Sequence, residues 1–243
     1  MSESISFVDV ESNYSQVLEK IDRSSRISGR EESDIKLVGV TKRIPLERIK
    51  PALDAGLSII GEITGTGLKK KLPSIRKYSS SAEVHIISYM QSNKVKFSVE
   101  RCDLIQSVRR EKILSMINNY SQKLDIIYPI LLQVDFSSVI KKKGLNHQET
   151  IKFLEIVENY SSIEVQGIMT IAPFEYAKEL SSLTKFFEKT NSIFREEIQP
   201  KITSDFPVLS MGMSSNYELA IEKGSNMIRV GTAIFGPRQK YLV

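Results

Sequence analysis

Residues 209–236 read LSMGMSSNYELAIEKGSNMIRVGTAIFG, and this stretch decides the fold. Its pattern predicts a strand that ends in a Gly/Ser turn, a short helix closed by Gly224, and a second strand that ends in Gly-Thr. Two such turns side by side aim backbone N–H groups, a hydroxyl and a helix N-terminus at one point, as phosphate sites do. The loops after strands 7 and 8 of a (β/α)8 barrel commonly bind phosphate. A barrel would need six more βα units before this stretch.

The rest of the chain alternates short apolar runs with longer amphipathic stretches, which is typical of repeated βα units. Strands are predicted over residues 36–41, 57–62, 84–88, 103–108, 126–134, 163–171, 208–211 and 227–230, with helices near 9–29, 45–55, 67–78, 92–100, 110–122, 147–160 and 176–198. Pro129 lacks the N–H that a ladder requires, so we expect the fifth strand to begin at or after it. We predict a (β/α)8 TIM barrel with an extra N-terminal helix; the alternative is a doubly wound open sheet.

Length and composition favour one globular domain over residues 1–243, with residues 1–33 as N-terminal helix and lead-in. The hydrophobic fraction of 41% and the charged fraction of 26% are ordinary for such a domain. The single cysteine excludes an internal disulfide. Residues 1–16 do not resemble a secretion signal, and no apolar run approaches the roughly 20 residues of a membrane span. We therefore expect a cytoplasmic protein without a membrane partner.

The net charge of +5 arises partly from two lysine clusters, at residues 69–71 and 141–143. Aromatic residues do not interleave either cluster, so we interpret both as solvated side chains and expect no nucleic-acid partner. An RNA-binding protein that uses these lysines is the alternative. Because no apolar surface patch is evident in the sequence, we predict a monomer.

Lys42 is chemically unusual among the residues that follow the predicted strands. It ends an apolar strand, and desolvation in such a place lowers the pKa of an amine, as a Schiff-base lysine requires. The alternative interpretation is that Lys42 caps the strand and reaches solvent.

Arg229 is the second unusual residue, because it stands between two apolar residues of the eighth strand. A buried guanidinium stays protonated and needs acceptors, so it either orients a ligand or forms a structural ion pair. Glu62 and Asp135 are the candidate partners for such a pair.

Ser214, Gly231 and Thr232 are the candidate phosphate-binding residues. Each of them alone is more typical of an ordinary turn or cap. Their joint occurrence at the exits of strands 7 and 8 is what favours a phosphate site.

Other catalytic and metal patterns are absent from the sequence. The glycines at 65 and 67 lack the third glycine of a dinucleotide fingerprint, and there is no Walker A motif. His85 and His147 are too far apart to suggest a zinc site, and Cys102 adds no ligand spacing. His85 lies within an apolar strand, so we interpret it as a hydrogen-bonded interior residue. We therefore predict no metal and no classical catalytic triad.

These residues in this order resemble the pyridoxal 5′-phosphate (PLP) homeostasis family, which is similar to the N-terminal barrel domain of alanine racemase. The matching segments are LVGVTK (37–42), GE (61–62), MQSNK (90–94), QVDFS (133–137), KKG (142–144), GIMTIAP (167–173), SMGMSSNYELAI (210–221) and IRVGTAIFG (228–236). The resemblance spans nearly the whole chain from about residue 36.

The resemblance implies a role for each candidate residue. Lys42 would form an aldimine with PLP, Ser214, Gly231 and Thr232 would hold its phosphate, and Arg229 would face the pyridine nitrogen. A guanidinium in that position disfavours protonation of the nitrogen and weakens the cofactor as an electron sink. The implied function is to hold PLP in intracellular PLP homeostasis, with PLP-dependent enzymes as possible recipients and no robust catalysis.

The alternative function is a small PLP-dependent amino-acid racemase or α-proton exchanger with Lys42 as its base. Alanine racemases use a second domain, whose tyrosine supplies the opposing base across a dimer interface. Because the sequence ends at Val243, we expect that domain, and with it efficient two-sided racemisation, to be missing.

Three positions depart from the pattern of the family. Ile63 stands where an asparagine is usual, Ser88 replaces a usual glycine, and Asn216 replaces a usual aspartate. These departures leave the lysine and the phosphate residues unchanged, but bear on affinity and on any regulation that depends on the asparagine.

Overall fold

The computed structural model describes residues 8–63, 65–139 and 144–237. Eight parallel strands pair in chain order, and the first pairs with the last to close a barrel. They are β1 Lys36–Val40, β2 Ile59–Glu62, β3 Glu83–Ile86, β4 Leu104–Val108, β5 Tyr128–Val134, β6 Ile163–Thr170, β7 Val208–Met213 and β8 Met227–Val230. The predicted (β/α)8 barrel is therefore confirmed, and the open sheet is excluded.

Helices surround the barrel. They are α1 Val10–Ile27, α2 Leu46–Asp54, α3 Thr66–Tyr78, α4 Val95–Arg101, α5 Glu111–Lys123, α6 His147–Val157, α7 Leu180–Ile193, α8 Tyr217–Glu222 and α9 Thr232–Phe235. The single helix predicted near 176–198 is wrong in detail, because 3₁₀ residues 176–178 precede α7 and a π-helical turn, residues 194–198, follows it. Within the described ranges, no helix is long and apolar enough to cross a membrane.

Pro129 is the second residue of β5, so the expectation that the strand begins at or after it is wrong by one residue. The pairing of β5 with β4 starts at Ile130. Pro129 therefore lies where the ladder on that side has not yet begun, and its missing N–H costs little there.

Alternation along the strands separates two apolar regions. One face of each strand packs against the surrounding helices, while the other face points into the barrel. The interior contains an apolar cluster of Val38, Ile59, Leu104, Leu131, Met169, Val208 and Met227. Buried polar side chains adjoin this cluster, among them Gln106, Ser210 and Arg229.

The extra helix α1 packs against the last βα unit. The Asn13 amide donates to the Ile234 carbonyl oxygen at 3.1 Å. Beyond the end of α1, the Arg30 guanidinium donates to the carbonyl oxygens of Ser225, at 2.8 Å, and Ile221. The predicted N-terminal helix is thus confirmed, and it packs against the segment that carries the candidate phosphate turns.

Candidate functional site

A cavity of about 780 Å³ opens at the carboxyl ends of the strands. All five predicted binding residues line it, namely Lys42, Ser214, Arg229, Gly231 and Thr232. Pairing of β1 with β8 places Lys42, which follows β1, beside the turn that follows β8. A larger cavity of about 1180 Å³ lies near the beginnings of β7 and β8 and contains none of the five. Because barrel enzymes bind ligands at the carboxyl ends, we assign the site to the first cavity.

The exit of β1 is held by a buried carboxylate. Glu62, at the end of β2, is 2% exposed and accepts a hydrogen bond of 2.6 Å from the Thr41 hydroxyl. The Lys71 ammonium forms an ion pair with Glu62 and donates to the Thr41 carbonyl oxygen at 2.8 Å. The residue directly before Lys42 is thus fixed through both its side chain and its backbone. Lys42 itself has an interaction within the chain in addition to lining the cavity.

The interpretation of residues 69–71 as solvated lysines is wrong for Lys71. Its side chain is 15% exposed, against a Glu62 side chain that is 3% exposed. The signal was present in the helical spacing, because residue 71 falls in the same stripe as the buried residues 68, 72 and 75 of α3. A lysine in an apolar stripe indicates a buried acidic partner. The second cluster, residues 141–143, lies outside the described residues.

Arg229 is buried in the barrel, at 4% exposure. Its guanidinium donates to the Ser210 hydroxyl and to the Thr170 carbonyl oxygen, each at 2.7 Å. Both acceptors are neutral, so the alternative of a structural ion pair with Glu62 or Asp135 is not what the described contacts show. Burial lowers the pKa of Arg229 to about 10, which leaves it protonated at neutral pH. The site therefore contains a positive charge held by neutral acceptors.

A hydrogen-bonded chain links Arg229 to the opposite end of the barrel. The Ser210 hydroxyl donates to Gln106 Oε1 at 2.8 Å, and Gln106 Nε2 lies 3.0 Å from His85 Nδ1. His85 Nε2 lies 3.0 Å from a Glu83 carboxylate oxygen. The hydrogen bond with His85 is the main cause that lowers the pKa of Glu83. The prediction that His85 is a hydrogen-bonded interior residue is confirmed, but the sequence carries no local sign of this chain.

The turns after β7 and β8 are joined to each other. Ser214 Oγ accepts hydrogen bonds from the backbone N–H groups of Gly231, at 3.0 Å, and Ala233, at 3.4 Å. A Cβ at Gly231 would lie 3.3 Å from both the Cβ and the carbonyl oxygen of Val40, so glycine allows the turn to approach β1. Gly212 has φ +96°, a conformation that favours glycine, before the turn that carries Ser214.

The three departures from the family pattern all have places in or beside the cavity. Ile63 lines it, and its backbone N–H lies 3.3 Å from a Glu62 carboxylate oxygen. Ser88 also lines it, and its carbonyl oxygen accepts from the Ser107 hydroxyl at 2.5 Å. The Asn216 side-chain oxygen accepts from the Met213 N–H at 2.8 Å. A neutral amide thus supplies the acceptor in this turn.

The cavity also contains Arg109, directly after β4, which the sequence interpretation missed. Its guanidinium stacks on the Tyr89 ring, with 5.0 Å from the guanidinium carbon to the ring centroid. A basic residue just beyond a strand end was the available signal, but such residues are common at the surface. No cluster of metal-ligating side chains occurs among the residues that the structure describes.

The family model described as "Alanine racemase, N-terminal domain" matches residues 39–239. The pyridoxal phosphate homeostasis protein of Aquifex aeolicus is 32% identical over 225 residues, covering 93% of this chain and 96% of the relative. That of Pasteurella multocida is 30% identical over 230 residues, covering 94% and 97%. These matches agree with the closed barrel.

Solved structures show the same fold. PipY of Synechococcus elongatus, solved with PLP bound, has 25% identity and a TM-score of 0.75, covering 89% of this chain and 100% of PipY. Alanine racemase from E. faecalis has 17% identity and a TM-score of 0.67, covering 95% of this chain and 59% of the racemase, which shows likeness of fold alone. The chain belongs to the alanine racemase N-terminal domain family and, within it, to the pyridoxal phosphate homeostasis proteins.

Proposed function

We propose that this protein binds pyridoxal 5′-phosphate in the cavity at the carboxyl end of the barrel and serves intracellular PLP homeostasis as a holder of the cofactor. The observation that carries the proposal is the convergence of Lys42, Arg229 and the two joined turns in one cavity. These three features would face the aldehyde, the pyridine ring and the phosphate of PLP, respectively. The names of the relatives and the PLP bound to PipY support the same ligand.

The turns after β7 and β8 suit the phosphate group. Ser214 Oγ accepts from the Gly231 N–H, which leaves the hydroxyl proton of Ser214 to be donated to a ligand, and Thr232 lines the cavity beside them. Backbone and hydroxyl donors at one point favour an anion. A side chain at Gly231 would make a tight contact with Val40, and glycine presents no side chain to a phosphate in this turn.

Lys42 is the proposed partner of the aldehyde, as an aldimine. When bound, PLP supplies an electrophilic aldehyde carbon and an electron-withdrawing ring. The Thr41–Glu62–Lys71 contacts neutralise the buried carboxylate next to Lys42 and fix the backbone that carries it. This arrangement supports a positioned amine at the wall of the cavity.

Arg229 supports holding rather than robust catalysis. Its guanidinium is buried, protonated and held by neutral acceptors, so a pyridine nitrogen facing it would meet a permanent positive charge. Such a charge opposes protonation of the ring nitrogen and reduces stabilisation of a carbanion.

We infer further that the protein is a cytoplasmic monomer and that PLP-dependent enzymes receive the cofactor.

The proposed aldimine is tested by visible absorbance of the purified protein with added PLP, and by intact mass after borohydride reduction. Wild type is expected to give an aldimine band and a reduced adduct at Lys42. Lys42→Ala should lose both, while Lys70→Ala, an exposed lysine on α3, should keep both. A reduced adduct that persists at full level in Lys42→Ala would show that the assignment is wrong.

The holder function is tested separately from cofactor binding. The PLP-loaded protein is incubated with L-alanine in heavy water, and deuterium at the α-carbon is followed by NMR. We expect exchange far slower than enzymatic turnover, which is typically 1–10³ s⁻¹. Exchange at enzyme-like rates would favour the racemase alternative, while leaving the binding site itself intact.

A further inference from the structure

A groove of about 550 Å³ lies between α3 and α4. Each of the two helices lines it with one stripe of residues at helical spacing. The stripes are residues 69, 72, 73 and 76 of α3 and residues 97, 100 and 101 of α4. The sequence gives each stripe separately, but only the packing of the two helices makes the stripes face each other across this α3–α4 groove.

The floor of the α3–α4 groove is apolar. Leu72 and Cys102 line it and are each 5% exposed. Phe97 lines it as well, is half-buried, and packs against the main apolar core. A large apolar side chain of a partner would leave water on this floor, and such anchors carry much of the binding energy of protein interfaces.

The rim of the α3–α4 groove is positively charged. Over its 13 residues, α3 carries five cations and no carboxylate. The two carboxylates that line the groove already have cationic partners. Asp103 forms an ion pair with Arg76 at 2.6 Å, and Glu100 forms one with Lys96 at 3.7 Å.

Four further cations stand at the rim or directly beside it. Lys69 and Arg101 line the groove, and Lys70 and Lys77 are the next residues along α3 after two lining positions. All four are exposed, and none of them forms an ion pair with a carboxylate in the described part of the chain. The groove therefore combines an apolar floor with a rim that complements negative charge.

An acidic partner could be a nucleic acid or a protein. Single-stranded nucleic acids bind where cations follow the backbone and aromatic faces are open for the bases to stack. Here Lys69 Nζ lies over the Phe97 ring, 5.3 Å from its centroid, so this face of the ring is not open to a base. Glu100 and Asp103 inside the groove would also repel phosphates. These contacts favour a protein.

We propose that the α3–α4 groove docks an acidic, amphipathic segment of a partner protein. One large apolar side chain of the segment lies on the floor, and carboxylates on either side of it meet Lys69, Lys70 and Arg101. Amphipathic segments bind hydrophobic grooves in this way, with charges at the rim that steer association. The groove shares no lining residue with the cavity that contains Lys42, so docking can be tested separately from PLP binding.

The test uses a peptide whose indole reports its own burial, because the chain contains no tryptophan. The probe is the hexapeptide EEWLEE with blocked ends, and KKWLKK is the control of opposite charge. Titration with the wild-type protein is expected to show saturable binding of EEWLEE and a blue shift of the indole emission, since the ring leaves water. KKWLKK should show neither.

Two double variants locate the binding. Lys69→Gln with Arg101→Gln should weaken binding of EEWLEE by about threefold to thirtyfold, the range for the loss of two exposed ion pairs. Lys152→Gln with Lys185→Gln removes two exposed charges from α6 and α7 and should leave the affinity unchanged. Circular dichroism checks that both variants fold like wild type.

Three results would overturn the docking site: equal affinity for EEWLEE and KKWLKK, an unshifted emission, or full affinity in the variant at Lys69 and Arg101. A single-stranded RNA hexanucleotide that binds wild type more tightly than EEWLEE, and loses that binding in the same variant, would overturn a protein partner in favour of a nucleic acid. None of these results bears on the proposed PLP site, whose own test is the reduced adduct at Lys42.

Discussion

Glu62 and Lys71 form a buried ion pair that contacts Thr41, the residue directly after β1. Removing two charges from water costs several kcal/mol, and the pair is tolerated only because each group has further polar partners. For Glu62 the further partner is the Thr41 hydroxyl, and for Lys71 it is the Thr41 carbonyl oxygen. The pair therefore connects the stability of the barrel to the position of the residue before Lys42.

Lys71→Met is expected to lower the free energy of unfolding by about 3–5 kcal/mol, because Glu62 would remain buried without its counter-charge. Urea denaturation followed by circular dichroism measures the change. Lys70→Met, at the exposed neighbouring position, should alter stability by less than about 0.5 kcal/mol. Equal effects of the two substitutions would contradict a special role for the pair.

Gly231→Ala is expected to weaken PLP binding by about tenfold or more, corresponding to at least about 1.4 kcal/mol. The new methyl group would lie 3.3 Å from the Val40 carbonyl oxygen, a backbone atom that cannot rotate away. Either the β1 backbone or the turn would have to shift by a few tenths of an ångström, and we expect the turn and its N–H to do so. Titration of the cofactor absorbance gives the affinity.

The matched control for this substitution is Gly67→Ala in α3, where a Cβ meets nothing within 4 Å. It should leave PLP affinity unchanged and raise stability by about 0.5–1 kcal/mol, since alanine favours a helix over glycine. Unchanged affinity in Gly231→Ala would show that the turn tolerates a side chain and does not approach the phosphate.

At the scale of elements, the barrel strands share one polar chain. It runs from Arg229 in β8 through Ser210 in β7 and Gln106 in β4 to His85 in β3. All four side chains are buried, so each hydrogen bond satisfies a group that water cannot reach. These hydrogen bonds hold the Ser210 hydroxyl, which is an acceptor for Arg229, and thereby set the direction of the guanidinium.

Gln106→Leu is expected to lower the free energy of unfolding by about 1–3 kcal/mol for each buried group left without a partner. Those groups are the Ser210 O–H donor, whose oxygen would still accept from Arg229, and His85 Nδ1. Urea denaturation gives the stability, and the wavelength of the bound-cofactor band reports any shift of Arg229. Gln122→Leu, on the exposed face of α5, should change neither quantity. A stability equal to that of wild type would show that this hydrogen-bonded series of side chains contributes nothing to the free energy of unfolding.

At the scale of the whole molecule, closure of the barrel decides which ends of the chain meet. The pairing of β1 with β8 joins the first βα unit to the last, and α1 and Arg30 hold that last unit from outside. The candidate site therefore depends on global folding rather than on one local segment. Its integrity should follow global unfolding, for which the single cysteine provides a probe.

Cys102 is 5% exposed, and burial is the main cause that raises the pKa of its thiol to about 12. The unfolded chain has a thiol pKa near 8.5. A thiol whose pKa is higher in the folded protein than in the unfolded chain stabilises the folded state at low pH. That stabilisation is lost as the pH rises above the pKa of the unfolded chain. Between pH 8.5 and 10 the thiol should therefore remove about 2 kcal/mol of stability.

The difference between wild type and Cys102→Ala isolates this thiol from other groups that titrate in the same range. The gap in free energy of unfolding between the two proteins should change by about 2 kcal/mol from pH 8.5 to pH 10, in favour of the variant. A gap that does not depend on pH would contradict a buried, protonated thiol. Slow alkylation of the folded protein at pH 8 is expected on the same grounds.

Much of the fold and of the candidate site was predictable from the sequence. The eight strands follow from apolar runs at regular spacing, and β8 was predicted to the residue. The five candidate binding residues could be chosen because the carboxyl ends of parallel strands must meet at one end of a barrel. The errors at Pro129 and in the 176–198 helix are local, since propensity does not define where pairing begins or a helix changes its pitch.

The sequence by itself determined the order of the βα units and which residues stand at the strand exits, because periodicity and turn residues are local properties of the chain. Only the tertiary structure decided the partners of the buried polar groups. Lys71 pairs with Glu62, Arg229 donates to neutral acceptors, and Arg109 Nε has no partner among the described residues. The physical reason is that these contacts join residues far apart in sequence. Closure of the barrel brings such residues together, and burial then makes every unpaired group costly.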